Sequence, residues 1–391
     1  MPHYRCVGDV PRKRHTAFRD ATGHRFAEEL MGQEGFSSSS ALLYHRHSPS
    51  AVVAIDAVAG DAVLAAPDFP VTPRHLRTGN LAPSIDVVTG RHVLLANRDV
   101  RLACVAADQK SPLYRNAVGD ELVYVQQGTA TIESVFGVLD VGPGDYVVIP
   151  AGTTHRWVHA DQIELFVIEA RGHVAPPKRY LSSDGQFLEH APFCERDLRA
   201  PDAPLVVADL ADGDTIDVLV RTRGGISRHT HRTHPFDVVG WDGNLYPWAL
   251  SIHDFEPIVG RLHQPPPVHQ TFEGPGFVVC SFVPRPFDFH PDAVKVPYHH
   301  SNTDSDEVLF YSAGNFMSRA GSGIGVGSIS YHPAGFIHGP QPGSYEASVE
   351  HDRTAELAVM VDTFAPLDVT DVGREISAPE YPWTWAREPG T

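Results

Sequence analysis

Two phrases of this 391-residue chain occur twice, and this repeat limits the possible folds more than any other feature. In the first half, Glu121 opens the run ELVYVQQG, and the later phrase GDYVVIPAGTTH ends at His155. In the second half, Glu307 opens EVLFYSAG, and the later phrase GSISYHPAGFIH ends at His338. Val, Tyr and Phe bounded by Gly and Pro are typical of β-strands joined by tight turns. The chain is therefore predicted to contain two similar β-domains.

The repeated phrases resemble the two motifs of the cupin superfamily, G-x5-H-x-H-x3,4-E-x6-G and G-x5-P-x-G-x2-H. This resemblance implies an all-β bicupin, with two double-stranded β-helix (jelly-roll) domains and few short helices. We place the two barrel cores near residues 100–170 and 280–365. The predicted domains are 1–225, an N-terminal β domain containing a metal-free cupin, and 226–391, a C-terminal catalytic cupin domain. The segment HRFAEELMGQEGF, residues 24–36, is predicted to be a short helix or an ordered loop.

The charge of the chain excludes two classes of partner. Lys and Arg total 31 and Asp and Glu total 48, which gives a formal net charge of -17. Such a charge repels nucleic acid phosphates and anionic membrane surfaces. The four cysteines are scattered, and the sequence has neither a long apolar run nor an apolar signal segment at its start. These features predict a cytoplasmic protein that binds neither nucleic acid nor membranes.

The second copy of the repeat contains residues that could hold a metal ion. His300 precedes the glutamate of the motif, and His338 ends the second phrase. Asp304 and Asp306 are rival carboxylates, but only Glu307 keeps the motif's spacing to the following glycine. Two histidines and one carboxylate leave positions of an octahedral Fe(II) open for other ligands, although zinc or manganese could also bind such a set. The pattern therefore predicts a reactive metal site in the second domain.

The first copy lacks part of this set. The segment YRNAVGDE before Glu121 has no histidine at either position of the first motif. Only Glu121 and His155 remain, and two ligands seldom hold an exchangeable metal ion. His155 is therefore interpreted as a structural histidine, and the first barrel is predicted to be metal-free.

Further phrases of the chain resemble the homogentisate 1,2-dioxygenase family. They are WDGNLYP (241–247), PYHHSN (297–302), HGPQPG (338–343) and LAVMVDTFAPL (357–367). The resemblance implies a homo-oligomer, a trimer or hexamer, that uses Fe(II) and O2 to convert the aromatic acid homogentisate to maleylacetoacetate. It also implies that His300, Glu307 and His338 are the iron ligands.

The same resemblance suggests roles for further residues. A histidine acting as general base is expected just before the run FVVCSFV, where we prefer His269 and keep His263 as the alternative. Departures from the family include Phe316 in place of a tyrosine, Arg319 in place of a lysine and Ser301 in place of an arginine. Arg319 could still supply a cation for a substrate carboxylate. The predicted substrate contacts are Tyr298, Asn302, Phe316, Arg319 and His332.

Two other functions are compatible with the sequence. The first is a ring-cleaving dioxygenase for another hydroquinone or a gentisate-like acid, which the departures at Phe316 and Ser301 would suit. The second is a non-oxygenase bicupin that uses the site for binding or isomerisation. Metal analysis and O2 consumption distinguish this second possibility from both dioxygenases.

Overall fold

The computed structural model describes residues 3–60, 65–296 and 298–386; Pro297, in the phrase PYHHSN, lies outside these ranges. In the first part of the chain the strands are β1 (Arg5–Gly8), β2 (Ala27–Gly32), β3 (Ser40–His45), β4 (Val52–Gly60), β5 (Ala65–Ala66), β6 (Arg74–Arg77), β7 (His92–Ala96), β8 (Val100–Ala107), β9 (Leu113–Asn116), β10 (Glu121–Gln127), β11 (Ala130–Ser134), β12 (Gly137–Val141), β13 (Asp145–Ile149), β14 (His155–Val158) and β15 (Ile163–Ala170).

The second part continues this strand-rich pattern. Its strands are β16 (Leu198–Arg199), β17 (Ile216–Thr222), β18 (Gly225–His231), β19 (Val238–Gly243), β20 (Trp248–Ser251), β21 (Gln270–Gly274), β22 (Phe277–Phe282), β23 (Arg285–Pro286), β24 (Asp306–Ala313), β25 (Ser328–His332), β26 (Arg353–Thr354), β27 (Leu357–Thr363) and β28 (Asp368–Thr370). The α-helices of the described residues are α1 (Ser344–Ser348) and α2 (Asp371–Glu375). Short 3-10 helices cover Glu34–Phe36, Thr78–Asn80, Lys178–Tyr180, Glu195–Asp197, Ile252–Asp254, Pro266–His269, Met317–Arg319 and Tyr381–Ala386.

The strands β8 to β15 form the core of the N-terminal barrel. One sheet contains β13-β10-β15-β8 and the facing sheet contains β12-β11-β14-β9. Because side chains alternate along a strand, Glu121 lies on the same face of β10 as Val123 and Val125. These two valines belong to the apolar core of the barrel, together with Val147 and Trp157. The glutamate of the first motif therefore faces the interior of the barrel.

The turns that follow the two motif glutamates have the same backbone conformation. Gly128 has φ of 83° and Gly314 has φ of 89°, in the left-handed region that favours glycine. A Cβ atom at Gly314 would lie 1.8 Å from the carbonyl oxygen of Ala355, and one at Gly128 would lie 2.5 Å from that of Gln162. The repeat in the sequence is thus a repeat in the backbone.

The C-terminal barrel is more open than the N-terminal one. Its main sheet has the order β21-β22-β27-β24-β25-β6. Opposite this sheet, the described pairing consists of the short pair β23-β26 and a single bridge between His300 and His338. The interior holds an apolar cluster that includes Leu309, Phe316 and Met360. The all-β bicupin prediction is confirmed.

The sheets exchange strands between the two halves of the chain. Strand β6, from the first half, pairs with β25, and β28, near the end, pairs with β7. The barrels also pack directly: the rings of Phe166 and Phe310 stack with centroids 5.0 Å apart, and Tyr124 and Ser312 are joined by a 2.7 Å hydrogen bond. The division at residues 225 and 226 stays a prediction, but the barrels are tied by paired strands on both sides of it.

One local prediction is wrong. The segment expected to be a short helix or an ordered loop contains strand β2, followed by the 3-10 turn Glu34–Phe36. Strand β2 pairs along its whole length with β3, so tertiary pairing overrides the helix preference of its Ala, Glu and Leu residues. Within the described ranges, no helix has both the length and the apolar character required to cross a bilayer.

Candidate metal centre

The structure brings the three predicted metal ligands together inside the C-terminal barrel. Their ligand atoms, from His300, Glu307 and His338, all lie within 4.8 Å of one another. Nε2 of His300 is 3.4 Å from Oε2 of Glu307, and Nε2 of His338 is 3.2 Å from Oε1 of the same carboxylate. His338 is buried, whereas the side chain of His300 is 37% exposed. The group is therefore reachable from solvent on the His300 side.

The backbone holds the two histidines side by side. The N–H of His300 donates to the carbonyl oxygen of His338 and the N–H of His338 donates to that of His300, both at 2.8 Å. Nδ1 of His338 lies 2.9 Å from the carbonyl oxygen of Phe336, and Nδ1 of His300 lies 3.4 Å from that of Tyr298. A carbonyl oxygen can only accept, so each Nδ1 carries the proton and each Nε2 presents a lone pair.

This tautomer explains why the group suits a cation. Nε2 of His338 is buried and has no hydrogen-bond partner among the described residues, although it lies 3.2 Å from the Glu307 carboxylate. A lone pair and a carboxylate oxygen repel each other at this separation unless a cation or a proton lies between them. A metal ion bound by both imidazoles and the carboxylate would satisfy all three groups.

His332 supports the carboxylate of this group. Its Nδ1 donates to Oε1 of Glu307 at 2.9 Å, and its Nε2 accepts from the hydroxyl of Tyr381 at 3.0 Å. Its fully buried ring stacks on the ring of His338, with centroids 4.1 Å apart. Burial lowers the pKa of His332 to about 3, so the ring is neutral at physiological pH. Both ring nitrogens of His332, a predicted substrate contact, thus make hydrogen bonds within the protein.

The charge state of Glu307 follows from its surroundings. Burial raises the pKa of the Glu307 carboxyl, but the three surrounding imidazoles of His300, His332 and His338 outweigh burial and hold the pKa well below its ordinary value. The rival carboxylate Asp306 serves another purpose, because it accepts hydrogen bonds from the hydroxyl of Tyr331 and the N–H groups of Ala334 and Leu367. Asp306 fixes loops around the site rather than entering it.

The N-terminal barrel has the same arrangement with different chemistry. Tyr114, Glu121 and His155 occupy the positions of His300, Glu307 and His338, and Tyr114 pairs with His155 as His300 does with His338. This barrel places an arginine at the carboxylate. Arg91 binds both oxygens of Glu121 at 2.8 and 2.9 Å and also donates to Glu169 at 2.9 Å. The guanidinium supplies a fixed positive charge to the carboxylate.

Two of the predicted substrate contacts are packed within the protein. Phe316 lies in the apolar cluster of the barrel, with its ring edge against Tyr311. Arg319 is buried, and its Nε donates to the hydroxyl of Tyr311 at 2.9 Å while Nη1 donates to the carbonyl oxygen of Gly339 at 2.7 Å. Because Gly339 directly follows His338, Arg319 helps to fix the loop that carries this histidine. Binding of a substrate carboxylate by Arg319 stays a prediction.

The two candidate bases have different surroundings. His263 is partly exposed, its Nδ1 lies 2.9 Å from Asp288, and its Nε2 lies 3.3 Å from the hydroxyl of Tyr298. His269 is buried against the ring of Phe282, and burial lowers its pKa to about 3. Through Tyr298, His263 is linked to the segment that carries His300. These contacts favour His263, the alternative, over His269, and the choice between them stays a prediction.

The segment around the first histidine is irregular. Of residues 298–302, only His300 takes part in β-type pairing, through its single bridge. Tyr298 is exposed, and Asn302 is half-buried with its carbonyl oxygen accepting from the N–H of Gly335 at 2.6 Å. Side chains on such an irregular segment do not alternate strictly, so the predicted substrate roles of Tyr298 and Asn302 remain predictions.

Some residues of the site were not anticipated from the sequence. Tyr381 and Trp385 lie near the end of the chain, and their rings contact His332. Arg91 precedes the first motif by thirty residues of sequence, and only the fold brings it to Glu121. Asp362 lies opposite Glu307 in the sheet, as Glu169 lies opposite Glu121. This second acidic residue in both copies of the repeat is a sequence signal that could have identified Asp362.

Comparison with known proteins gives matches over the whole chain. The family described as homogentisate 1,2-dioxygenase N-terminal matches residues 83–252. A Saccharolobus solfataricus protein named "Putative dioxygenase" is 40% identical over 98% of this chain and 99% of its own length. The homogentisate 1,2-dioxygenase of Emericella nidulans is 27% identical over 70% of this chain and 63% of its own. A solved cupin 2 conserved barrel domain protein from Leptotrichia buccalis aligns with 78% of this chain and 100% of its own at 10% identity, with a TM-score of 0.33.

Proposed function

The chain belongs to the homogentisate 1,2-dioxygenase family of the cupin superfamily, and from this premise we propose that it is an Fe(II)-dependent ring-cleaving dioxygenase that converts homogentisate and O2 to maleylacetoacetate. The observation that carries the proposal is the convergence of His300, Glu307 and His338 in one barrel, while the other barrel has an arginine at its carboxylate. A glutamate carboxylate that has no arginine of the described residues paired with it, together with two imidazole lone pairs, is suited to bind a divalent ion.

The three residues would hold the iron through two Nε2 atoms and the carboxylate of Glu307. When bound, the ferrous ion supplies open coordination positions and the redox coupling that O2 needs to react with a closed-shell aromatic ring. Both oxygen atoms enter the product, so the ring itself provides the electrons and no external reductant is required. His332 and Tyr381 would keep Glu307 oriented throughout, because His332 donates to its carboxylate and the Tyr381 hydroxyl in turn donates to His332.

A base must remove a proton from a phenolic hydroxyl of the substrate. His263 is suited to this role because Asp288 holds its Nδ1 and leaves Nε2 directed at the hydroxyl of Tyr298, beside the metal group. A substrate hydroxyl would take the place of the Tyr298 contact or share it. His269, with its pKa near 3, is neutral but weakly basic.

Reconstitution with iron tests the proposed function. The full chain is loaded anaerobically with Fe(II), and O2 uptake and product are measured with homogentisate. We expect one O2 consumed for each ring opened, and no uptake after chelation of the metal. If the iron-loaded protein turns over another hydroquinone or a gentisate-like acid but not homogentisate, that compound becomes the proposed substrate. Failure to bind iron would overturn the proposal.

The choice of base gives a separate prediction. His263→Ala is expected to lower kcat with homogentisate by roughly 10²-fold or more, the usual contribution of general acid–base catalysis, while iron content is unchanged. His269→Ala is the matched comparison, and we expect a smaller effect on kcat together with a loss of thermal stability from the buried cavity. Measurement of kcat and iron content for both variants decides between them. A larger fall in kcat for His269→Ala would restore His269 as the base.

The contacts of Arg319 favour one alternative substrate class. Its Nε and Nη1 groups are already engaged with Tyr311 and Gly339, so these two groups are not free to bind a substrate carboxylate. A hydroquinone without the acetate arm would not require that cation. Comparison of kcat/KM for homogentisate and for unsubstituted hydroquinone measures how much the arm contributes. The trimer or hexamer and the cytoplasmic location remain predictions.

A further inference from the structure

Three polar side chains form a row across the main sheet of the C-terminal barrel. Glu307 on β24 lies directly opposite His332 on β25 and opposite Asp362 on β27. Residues paired in this way across neighbouring strands project from the same face of a sheet. Because Glu307 faces the barrel interior and contacts His332 there, Asp362 projects into the same interior beside the metal group.

One oxygen of the partly buried Asp362 carboxyl group lacks a partner in this position. Its Oδ1 atom is buried and makes no hydrogen bond with any described residue. An unsatisfied buried polar atom destabilises a fold, so its presence in a native protein calls for a functional explanation. Asp362 does not belong to the group of ligand atoms within 4.8 Å of one another, so it lies next to the proposed metal ion rather than among its ligands.

The N-terminal barrel shows what a carboxylate in this position can bind. Glu169 is the equivalent of Asp362, since it lies opposite Glu121 in the sheet. There, Nη1 of Arg91 donates to Glu121 at 2.8 Å and to Glu169 at 2.9 Å, so one donor group bridges the two carboxylates, while Nη2 of Arg221 lies 3.1 Å from the other oxygen of Glu169. In the C-terminal barrel, no arginine or lysine of the described ranges pairs with Asp362. Oδ1 of Asp362 is thus suited to accept from a hydrogen-bond donor supplied from outside.

The surroundings of Asp362 indicate the chemical class of this donor. One layer further along the same strands lie Leu309 and Met360, which belong to an apolar cluster with Tyr311 and Phe316. An apolar layer below a lone acceptor suits an aromatic ring that carries a hydroxyl group. Resting on the proposed function, we propose that Asp362 accepts a hydrogen bond from one phenolic hydroxyl of the substrate and so selects for a ring with two hydroxyl groups.

Binding measurements without O2 test this inference. The Fe(II)-loaded full chain is titrated calorimetrically with homogentisate and with 2-hydroxyphenylacetate and 3-hydroxyphenylacetate, each of which lacks one hydroxyl. Asp362→Ala is expected to weaken homogentisate binding about tenfold or more, and to leave the affinity for one of the two analogues unchanged. Asp362→Asn, which keeps an acceptor oxygen and the side-chain volume, is expected to lose less. Asp292→Ala is the control, because its side chain is 93% exposed.

Two results would overturn the inference. Equal weakening of all three ligands would show a general disturbance of the site, and loss of iron from Asp362→Ala would show a role in metal binding. The proposed function can fail separately, if wild-type protein binds iron but does not open homogentisate. In that case the affinities for 1,4-dihydroxybenzene and for phenol are measured in wild type and in Asp362→Ala. If the ratio of these two affinities is the same in both proteins, the proposed hydrogen bond is refuted.

Discussion

His338→Ala is expected to remove both the iron and the ring-cleaving activity. The substitution takes away a buried Nε2 that has no protein partner and leaves only Glu307 and the partly exposed His300 as metal ligands. Metal catalysis of this kind contributes several kcal/mol, so activity should fall by roughly 10³-fold or more. Iron content after anaerobic loading and O2 uptake with homogentisate measure the two effects.

The repeat provides the matched control for this prediction. His155 occupies the same position in the N-terminal barrel, with the same hydrogen bond from Nδ1 to a carbonyl oxygen two residues earlier. His155→Ala creates a comparable buried cavity, so it should lower thermal stability but retain iron and activity. If both variants lost iron equally, the effect would come from general destabilisation and not from ligation. If His338→Ala kept its iron, the proposed metal centre would be wrong.

The parts of the site within the repeated phrases could be predicted from the sequence. Glu307 and His338 lie at fixed distances from turn glycines, and those glycines have the same positive φ values in both copies. Strand alternation then determines which side chains face inward, so a local pattern is enough to choose Glu307 over Asp306. The structure supports that choice, because Asp306 projects away and binds the surrounding loops.

The parts that depend on long-range contacts could not be predicted in this way. Strand β6 pairs with β25 although the two are far apart in the chain, and no local pattern specifies that register. The same holds for Tyr381, which reaches His332 from near the C-terminus. The choice between His263 and His269 depended on spacing alone, whereas the contacts of His263 with Asp288 and Tyr298 appear only in the fold.

The two buried carboxylates of the first barrel create an electrostatic problem that the fold has to solve. Glu121 and Glu169 are both buried, and two uncompensated carboxylates inside a barrel would be strongly destabilising. Arg91 binds both carboxylates through three hydrogen bonds, Arg221 adds a second positive charge 3.1 Å from Glu169, and Tyr114 and Asn116 each donate to Glu121. Burial raises the pKa of Glu121, but Arg91 outweighs it and holds the pKa at about 2. In this barrel a guanidinium stabilises the motif carboxylate.

Arg91→Met should therefore strongly destabilise the N-terminal barrel. Removal of one partner from a buried ion pair costs about 3–5 kcal/mol in the free energy of unfolding. Glu121→Gln added to Arg91→Met should recover part of that loss, because it removes one uncompensated charge. Arg98→Met is the control, since the Arg98 side chain is 80% exposed. Denaturant unfolding of the four proteins measures these differences.

The destabilisation caused by Arg91→Met should also depend on pH, in a direction that follows from the protonation of Glu121. In the wild type the folded pKa of Glu121 is about 2, below its ordinary 4.5, so its contribution to stability is present above pH 4.5 and is lost as the pH falls towards 2. Without Arg91 the buried carboxyl takes up a proton at higher pH, and a neutral Glu121 needs no cation. The stability difference between wild type and Arg91→Met should thus be largest near pH 7 and shrink as the pH falls. A difference that stays constant with pH would show that Arg91 acts through packing and not through charge.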